Sequence, residues 1–148
     1  MTEPPSPDRL RLSVEDLSRF FGEAFVADNE LSAGVIEMEP GRVLVRRPAS
    51  MLALRPGNVI SGPTMMSLAD MAVYALVLGH IGIVPMAVTT SLTMHFLRPA
   101  KPGRLFAEAR LLRLGRRIAT AEVRLWTESA DKIVAHATVA YAIPDGVA

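Results

Sequence analysis

The sequence predicts an α+β domain in which a long antiparallel sheet wraps around a central long helix, with a second helix at the amino end. Three features predict it. Residues 62–79 are rich in Met, Leu and Ala and carry one charged side chain, Asp70; a helix apolar on nearly all sides belongs in a core or an interface. Residues 87–143 break into strand-like segments at Pro, Gly and Ser. Shorter β-branched segments precede the helix at 34–47. A sheet drawn from both flanks and the helix between them then bury each other.

Residues 1–12 hold charges and prolines without an apolar stretch and read as a flexible leader, not a secretory signal. In 13–25, Val14, Leu17, Phe20, Phe21 and Phe25 recur at helical spacing, and Ser13 and Asp16 are spaced like a capping box. Residues 34–39 and 42–47 read as two strands joined at Pro40 and Gly41, with Val35, Ile36, Val43 and Val45 as β-branched content. Turn formers Pro56, Gly57 and Asn58 follow. The central helix opens at Gly62 or Pro63, where proline suits the first turn, and runs to about Gly79.

Four strands are then expected at 87–97, 105–114, 117–127 and 133–143. Pro99, Pro102 and Gly103, then Gly115, then residues 129–132 separate them. Connections this short predict antiparallel neighbours in chain order, a meander. Ala119, Ala121, Val123 and Leu125 alternate with Thr120, Glu122 and Arg124, as a half-buried strand requires.

Composition narrows the function. At 148 residues, 50% hydrophobic and 21% charged, the chain is ordinary globular sequence, with 13–148 as one domain. It has no cysteine, which removes disulfides, zinc thiolates and cysteine nucleophiles and points to a reducing compartment, the cytoplasm. The apolar run 71–88 adjoins Asp70 and is interrupted by Gly79, His80, Gly82 and Pro85, so a buried helix followed by a strand is expected there, not a membrane span. Net charge is +1, but residues 98–124 hold eight Lys and Arg against Glu108 and Glu122. That patch suits a small anionic ligand; with so few aromatic residues, nucleic acid does not follow.

The run from Ser61-Gly62-Pro63 to Ala69-Asp70 resembles the helix-opening motif of the PaaI-like hotdog thioesterases, which usually begins His-Gly-Gly. The segment His95-Phe96-Leu97-Arg98-Pro99-Ala100 resembles that family's Asn-Phe-Leu-Arg-Pro-Ala. Ala107-Glu108-Ala109 and Gly115-Arg116-Arg117 follow in order, and the likeness closes at Tyr141, covering about residues 33–144. The resemblance implies a hotdog fold and hydrolysis of acyl-CoA thioesters by a homo-oligomer, a dimer or a dimer of dimers, with sites between subunits. It implies no metal or redox cofactor, coenzyme A entering as part of the substrate. Asp70 falls on the family's acidic position, the general base or nucleophile, and Gly62 on the glycine whose amide binds the carbonyl oxygen. Ser61 stands for the histidine, Pro63 for the second glycine, and Arg55 for a frequent Asn or Gln, with Asn58 near but in another register.

A thioester is already activated, so a carboxylate and a site for negative charge on the carbonyl oxygen suffice in principle. A helix start offers free N–H donors, although Pro63 removes one. Ser67 and Tyr74 share the face of Asp70 by their spacing and are expected to hold or align it. The plain alternative for Asp70 is an ion pair with an arginine across a subunit interface. Thr89 and Thr90 either position water or are ordinary strand threonines. Arg98, Arg116 and Arg117 either meet coenzyme A phosphates, as guanidinium groups do well, or lie along a solvated strand edge. His80, His95 and His136 show no metal-like spacing and read as structural. Two functions follow: an acyl-CoA thioesterase, and, in view of Ser61, Pro63 and Arg55, a non-catalytic acyl-CoA-binding hotdog protein. A dehydratase would pair a histidine with a nearby acid, which the sequence does not supply.

Overall fold

The structure, a computed structural model, describes residues 3–24, 34–47 and 54–146. Helix α1 spans Val14–Ala24 and α2 spans Gly62–Ile81; the strands are β1 Val35–Glu39, β2 Arg42–Arg47, β3 Leu54–Arg55, β4 Val59–Ile60, β5 Val88–Phe96, β6 Leu105–Leu114, β7 Ile118–Trp126 and β8 Ala135–Ala142. The capping box expected from spacing opens α1: the Ser13 amide donates to Asp16 Oδ2 at 2.9 Å and the Asp16 amide to Ser13 Oγ at 3.1 Å. Phe25 lies outside the described residues.

Six strands form one antiparallel sheet in the order β1-β2-β6-β7-β8-β5, and β3 and β4 form a small separate hairpin. The sheet wraps the buried α2, which is the hotdog arrangement that the sequence resemblance implied. The expected meander holds for β6, β7 and β8 but not for β5, which leaves the helix at the far edge and pairs with β8. Spacing between segments could not show this. Pro99 and Pro102 lack the N–H that a ladder needs, and the link they occupy crosses the sheet end instead. There the Leu97 amide donates to the Val134 carbonyl at 2.8 Å, and the Ile60 amide to the Ala100 carbonyl at 2.8 Å. β6 is thereby delivered to β2.

The inward face of the sheet is built small. Ala107, Ala109, Ala119, Ala121, Ala135 and Ala137 are fully buried, and so are Leu68, Leu76 and Leu78 of α2. Alanine rows let a bulky helix approach the sheet without voids. By length and composition α2 could cross a membrane, but 78% of its apolar window is buried in this core.

The carboxyl end of α2 is closed from several sides. Gly82 takes φ 93° there, a left-handed conformation that glycine adopts freely, and its amide donates to the Leu78 carbonyl at 2.8 Å. The segment expected to be a loose leader is fastened to the same end. The amides of Arg11 and Leu12 both reach the Gly79 carbonyl, at 2.7 and 3.2 Å, and the Arg11 guanidinium donates to the Ile81 carbonyl at 3.2 Å. These donors satisfy carbonyls that a helix end leaves open. His80 is fully buried and structural, bonded to the Leu76 carbonyl and the Gly41 amide. His136 faces Glu122 across strands at 3.3 Å, and His95 is exposed on β5 opposite His136.

Candidate active site

Although most of α2 is buried, one stripe is not: Pro63, Met66 and Ser67 are exposed, and Asp70 and Tyr74 partly so. Three- and four-residue steps place them along one side of the helix. Asp70 therefore faces the edge of the core, where β5 begins and β8 ends.

β5 carries a bulge between Thr89 and Ser91. The extra residue switches its helix-facing side chains from odd to even positions: buried Ala87 and exposed Thr89, turned toward Asp70 at the rim, come before it, and the partly buried Leu92 and Met94 after it. Without the switch Leu92 would leave the core or Thr89 would turn away from Asp70. The bulge thus serves both the core and Asp70, to which Thr89 Oγ1 donates at 2.6 Å, on Oδ1. Thr89 pairs in register with Tyr141 on β8, whose hydroxyl donates to the same Oδ1 at 2.7 Å and lies 3.1 Å from the Asp70 main-chain oxygen. Among the described residues no Lys or Arg pairs with Asp70.

Tyr74 does not bond the carboxylate. Its hydroxyl donates to the Pro85 carbonyl at 3.1 Å, and its ring stacks between Phe21 and Tyr141, each with centroids 5.9 Å away. It is a wall of the site. Burial raises the pKa of both tyrosines, so their hydroxyls remain protonated donors. An open hollow of about 400 Å³ lies over this group, lined by Asp70, Tyr74, Pro85, Ala87, Val88, Thr89 and Tyr141.

Ser61 caps α2: its Oγ accepts the Thr64 amide at 3.3 Å and lies 2.7 Å from Thr64 Oγ1. That oxygen is engaged in holding the helix start, which explains how serine fills a position that the family gives to histidine. Gly62 and Pro63 wall a second hollow, about 590 Å³, together with Phe96 and the guanidinium-bearing Arg55 and Arg98. A Cβ on Gly62 would stand 3.2 Å from the Phe96 ring, so the glycine keeps this wall open. Gly62 and Asp70 are eight residues apart on one helix, roughly 12 Å along its axis.

The remaining predicted residues lie elsewhere. Asn58 sits in the β3–β4 turn at φ 58° with its amide on the Arg55 carbonyl. Thr90 occupies the bulge and donates to the Ala140 carbonyl at 3.2 Å. Ser67 is exposed one turn before Asp70. Arg116 lines a third hollow with Leu114, Gly115 and Ile143, and Arg117 pairs with Asp145 at 3.5 Å. Sequence reasoning misses Tyr141 as a member of the site. The signal is available: on the inward face of β8 it follows Ala135, Ala137 and Val139, and a phenol at the end of such an apolar row needs an acceptor.

The model of the thioesterase superfamily matches residues 57–140. The solved structure of a provisionally assigned thioesterase from Silicibacter sp. TM1040 is 34% identical, covers 94% of this chain and 96% of that one, and superposes with a TM-score of 0.83. A mutant of the phenylacetic acid degradation protein PaaI from Thermus thermophilus is 28% identical, with 84% of this chain and 98% of that one covered and a TM-score of 0.65. A provisionally assigned esterase of Thermoplasma acidophilum is 26% identical over 110 residues, 74% of this chain and 81% of that protein.

Proposed function

We propose, for a chain that belongs to the thioesterase superfamily and is a thioester hydrolase, that its substrates are acyl groups carried on coenzyme A. The observation that carries the site assignment is the state of Asp70. It is the single acidic or basic side chain of α2 apart from His80, it lies beside an open hollow, and two hydroxyls hold one of its oxygens. A structural carboxylate in such a place ordinarily has a cation as partner; within this chain Asp70 has none among the described residues.

In the proposed reaction Asp70 takes the proton of a water that attacks the thioester carbonyl, or attacks that carbonyl itself. Negative charge gathers on the carbonyl oxygen and is met by the Gly62 amide at a helix start. The C–S bond then breaks and coenzyme A leaves as its thiol: on the first route the proton that Asp70 took from water passes to the sulfur, and on the second the thiolate takes its proton from solvent and a water hydrolyses the acyl–Asp70 anhydride to the free acid. This chemistry calls for no metal or redox cofactor. Arg98 and Arg55, beside the Gly62 hollow, suit the phosphates of the coenzyme, and the cysteine-free composition suits a cytoplasmic setting.

One chain does not complete this site. A single carbonyl cannot touch both Asp70 and a Gly62 amide roughly 12 Å away, so the reading requires a second copy to bring its own Gly62 to this Asp70. β5 suits that contact. It is an edge strand of nine residues, with Val88 and Phe96 about half exposed at its two ends, Leu97 likewise just after it and Met86 70% exposed just before it, and long apolar edges of this kind seek a partner strand.

The test is thiol release from short-chain, medium-chain and aromatic acyl-CoA by the oligomer and by Asp70→Asn. Turnover in the wild type that falls about a hundred-fold or more in the variant supports the assignment, and turnover indifferent to the change removes Asp70 from the mechanism. Saturable acyl-CoA binding without turnover establishes the alternative, a binding protein on the same fold, which the departures at Ser61, Pro63 and Arg55 favour.

A further inference from the structure

We propose that Tyr141 is a positioning residue for this reaction: with Thr89 it holds Oδ1 of Asp70 and leaves Oδ2 as the oxygen that meets water or the thioester carbonyl. The proposal rests on the hydrolase reading of Asp70 given above.

Three observations carry it. First, both donors converge on one oxygen, at 2.6 and 2.7 Å, and among the described residues no hydrogen bond is made to the other. Second, Tyr141 itself cannot swing. It is 3% exposed, its ring stacks on Tyr74, and its hydroxyl also lies 3.1 Å from the Asp70 main-chain oxygen. The phenol thus spans the side chain and the backbone of the same residue. Third, its burial favours the protonated phenol, so the hydroxyl stays a donor through the neutral range.

A carboxylate on a partly exposed helix face would otherwise rotate among its side-chain rotamers. Turning this one breaks two hydrogen bonds at once. The arrangement fixes the carboxylate plane before substrate arrives, and an ångström of misplacement at a reacting atom costs orders of magnitude in rate. Thr89, read from the sequence as a residue that could position water, acts instead on the carboxylate.

Tyr141→Phe keeps the ring and its stacking and removes only the hydroxyl. The experiment compares wild type, Tyr141→Phe, Asp70→Ala and the double variant as full-length oligomers, by thiol release from acyl-CoA and by thermal unfolding. The expected result is a kcat lowered about ten-fold or more by Tyr141→Phe with KM within about two-fold of wild type, and no further loss when Asp70 is already alanine. Thermal midpoints are expected to fall more for Tyr141→Phe in the wild-type background than beside Asp70→Ala. An unchanged kcat, a loss carried by KM, or equal losses in both backgrounds overturns the proposal. Should even the wild type release no thiol from any acyl-CoA, the acyl-CoA reading fails, and the unfolding cycle alone decides the hold on Asp70: additive shifts overturn it and non-additive shifts support it. If Asp70→Ala does not fold, Asp70→Asn takes its place in the cycle.

Discussion

His80, in the last turn of α2, accepts the Gly41 amide on Nε2 at 3.1 Å, with its Nδ1 2.8 Å from the Leu76 carbonyl. An imidazole that accepts on one nitrogen and donates from the other is neutral. Gly41, at φ 79° in the β1–β2 turn, is thereby tied to the helix end across 39 residues of chain. Burial lowers the His80 pKa, outweighing the Leu76 and Pro7 carbonyl bonds that raise it.

This clasp predicts a pH dependence of stability. The unfolded chain has the more basic imidazole, with a pKa near ~6.5, and so binds the extra proton first. The His80 contribution is complete above that value and is lost as pH falls below it toward the lower folded-state pKa. Melting temperature is expected to drop between about pH 7.5 and about pH 5.5, and to drop less in His80→Gln. Thermal scans at both pH values check it; parallel pH profiles for the two proteins refute it.

Ser61→Ala is expected to lower stability by about 1 kcal/mol, the ordinary value of a helix cap, while turnover falls by less than about ten-fold. Denaturant titration and thiol release measured on the same preparation separate these effects. A loss of turnover as large as that of Asp70→Asn would place Ser61 in the catalytic machinery.

Gly62→Ala places a methyl group against the Phe96 ring where the acyl carbonyl is proposed to lie. Alanine suits a helix better than glycine does, so melting temperature is expected to hold or rise while kcat/KM falls about ten-fold or more. A fall in both together would mean that the glycine serves packing alone.

Phe96→Asp puts a charge on the exposed edge of β5, the proposed contact with a second copy. Light scattering is expected to show a smaller particle at low protein concentration, with turnover lost in parallel. A variant that dissociates yet keeps full specific activity would show that one chain suffices.

Much of the fold is legible in the sequence. The strands expected at 42–47 and 105–114 agree with β2 and β6 to the residue, and the other four strands of the large sheet agree to within two residues at either end, because period-two alternation and turn residues are local signals. The apolar helix announces its own burial, and Asp70 stands out because nothing else charged lies in the middle of that helix. The capping box at Ser13 and Asp16 is likewise a matter of spacing. These features depend on residues within a few positions of one another, and sequence records such distances directly.

What lies between distant residues is decided only by tertiary structure. The place of β5 beside β8, the strap from Arg11 to the end of α2 and the union of Asp70, Thr89 and Tyr141 each join residues 19 or more positions apart. Spacing cannot reveal them, because they follow from which inward faces can cover α2 together. The bulge at Thr90 is the plainest case. One extra residue reverses the alternation of β5 so that Leu92 and Met94 enter the core while Thr89 stays turned toward Asp70, a choice made by packing against the helix and not by the strand's own sequence.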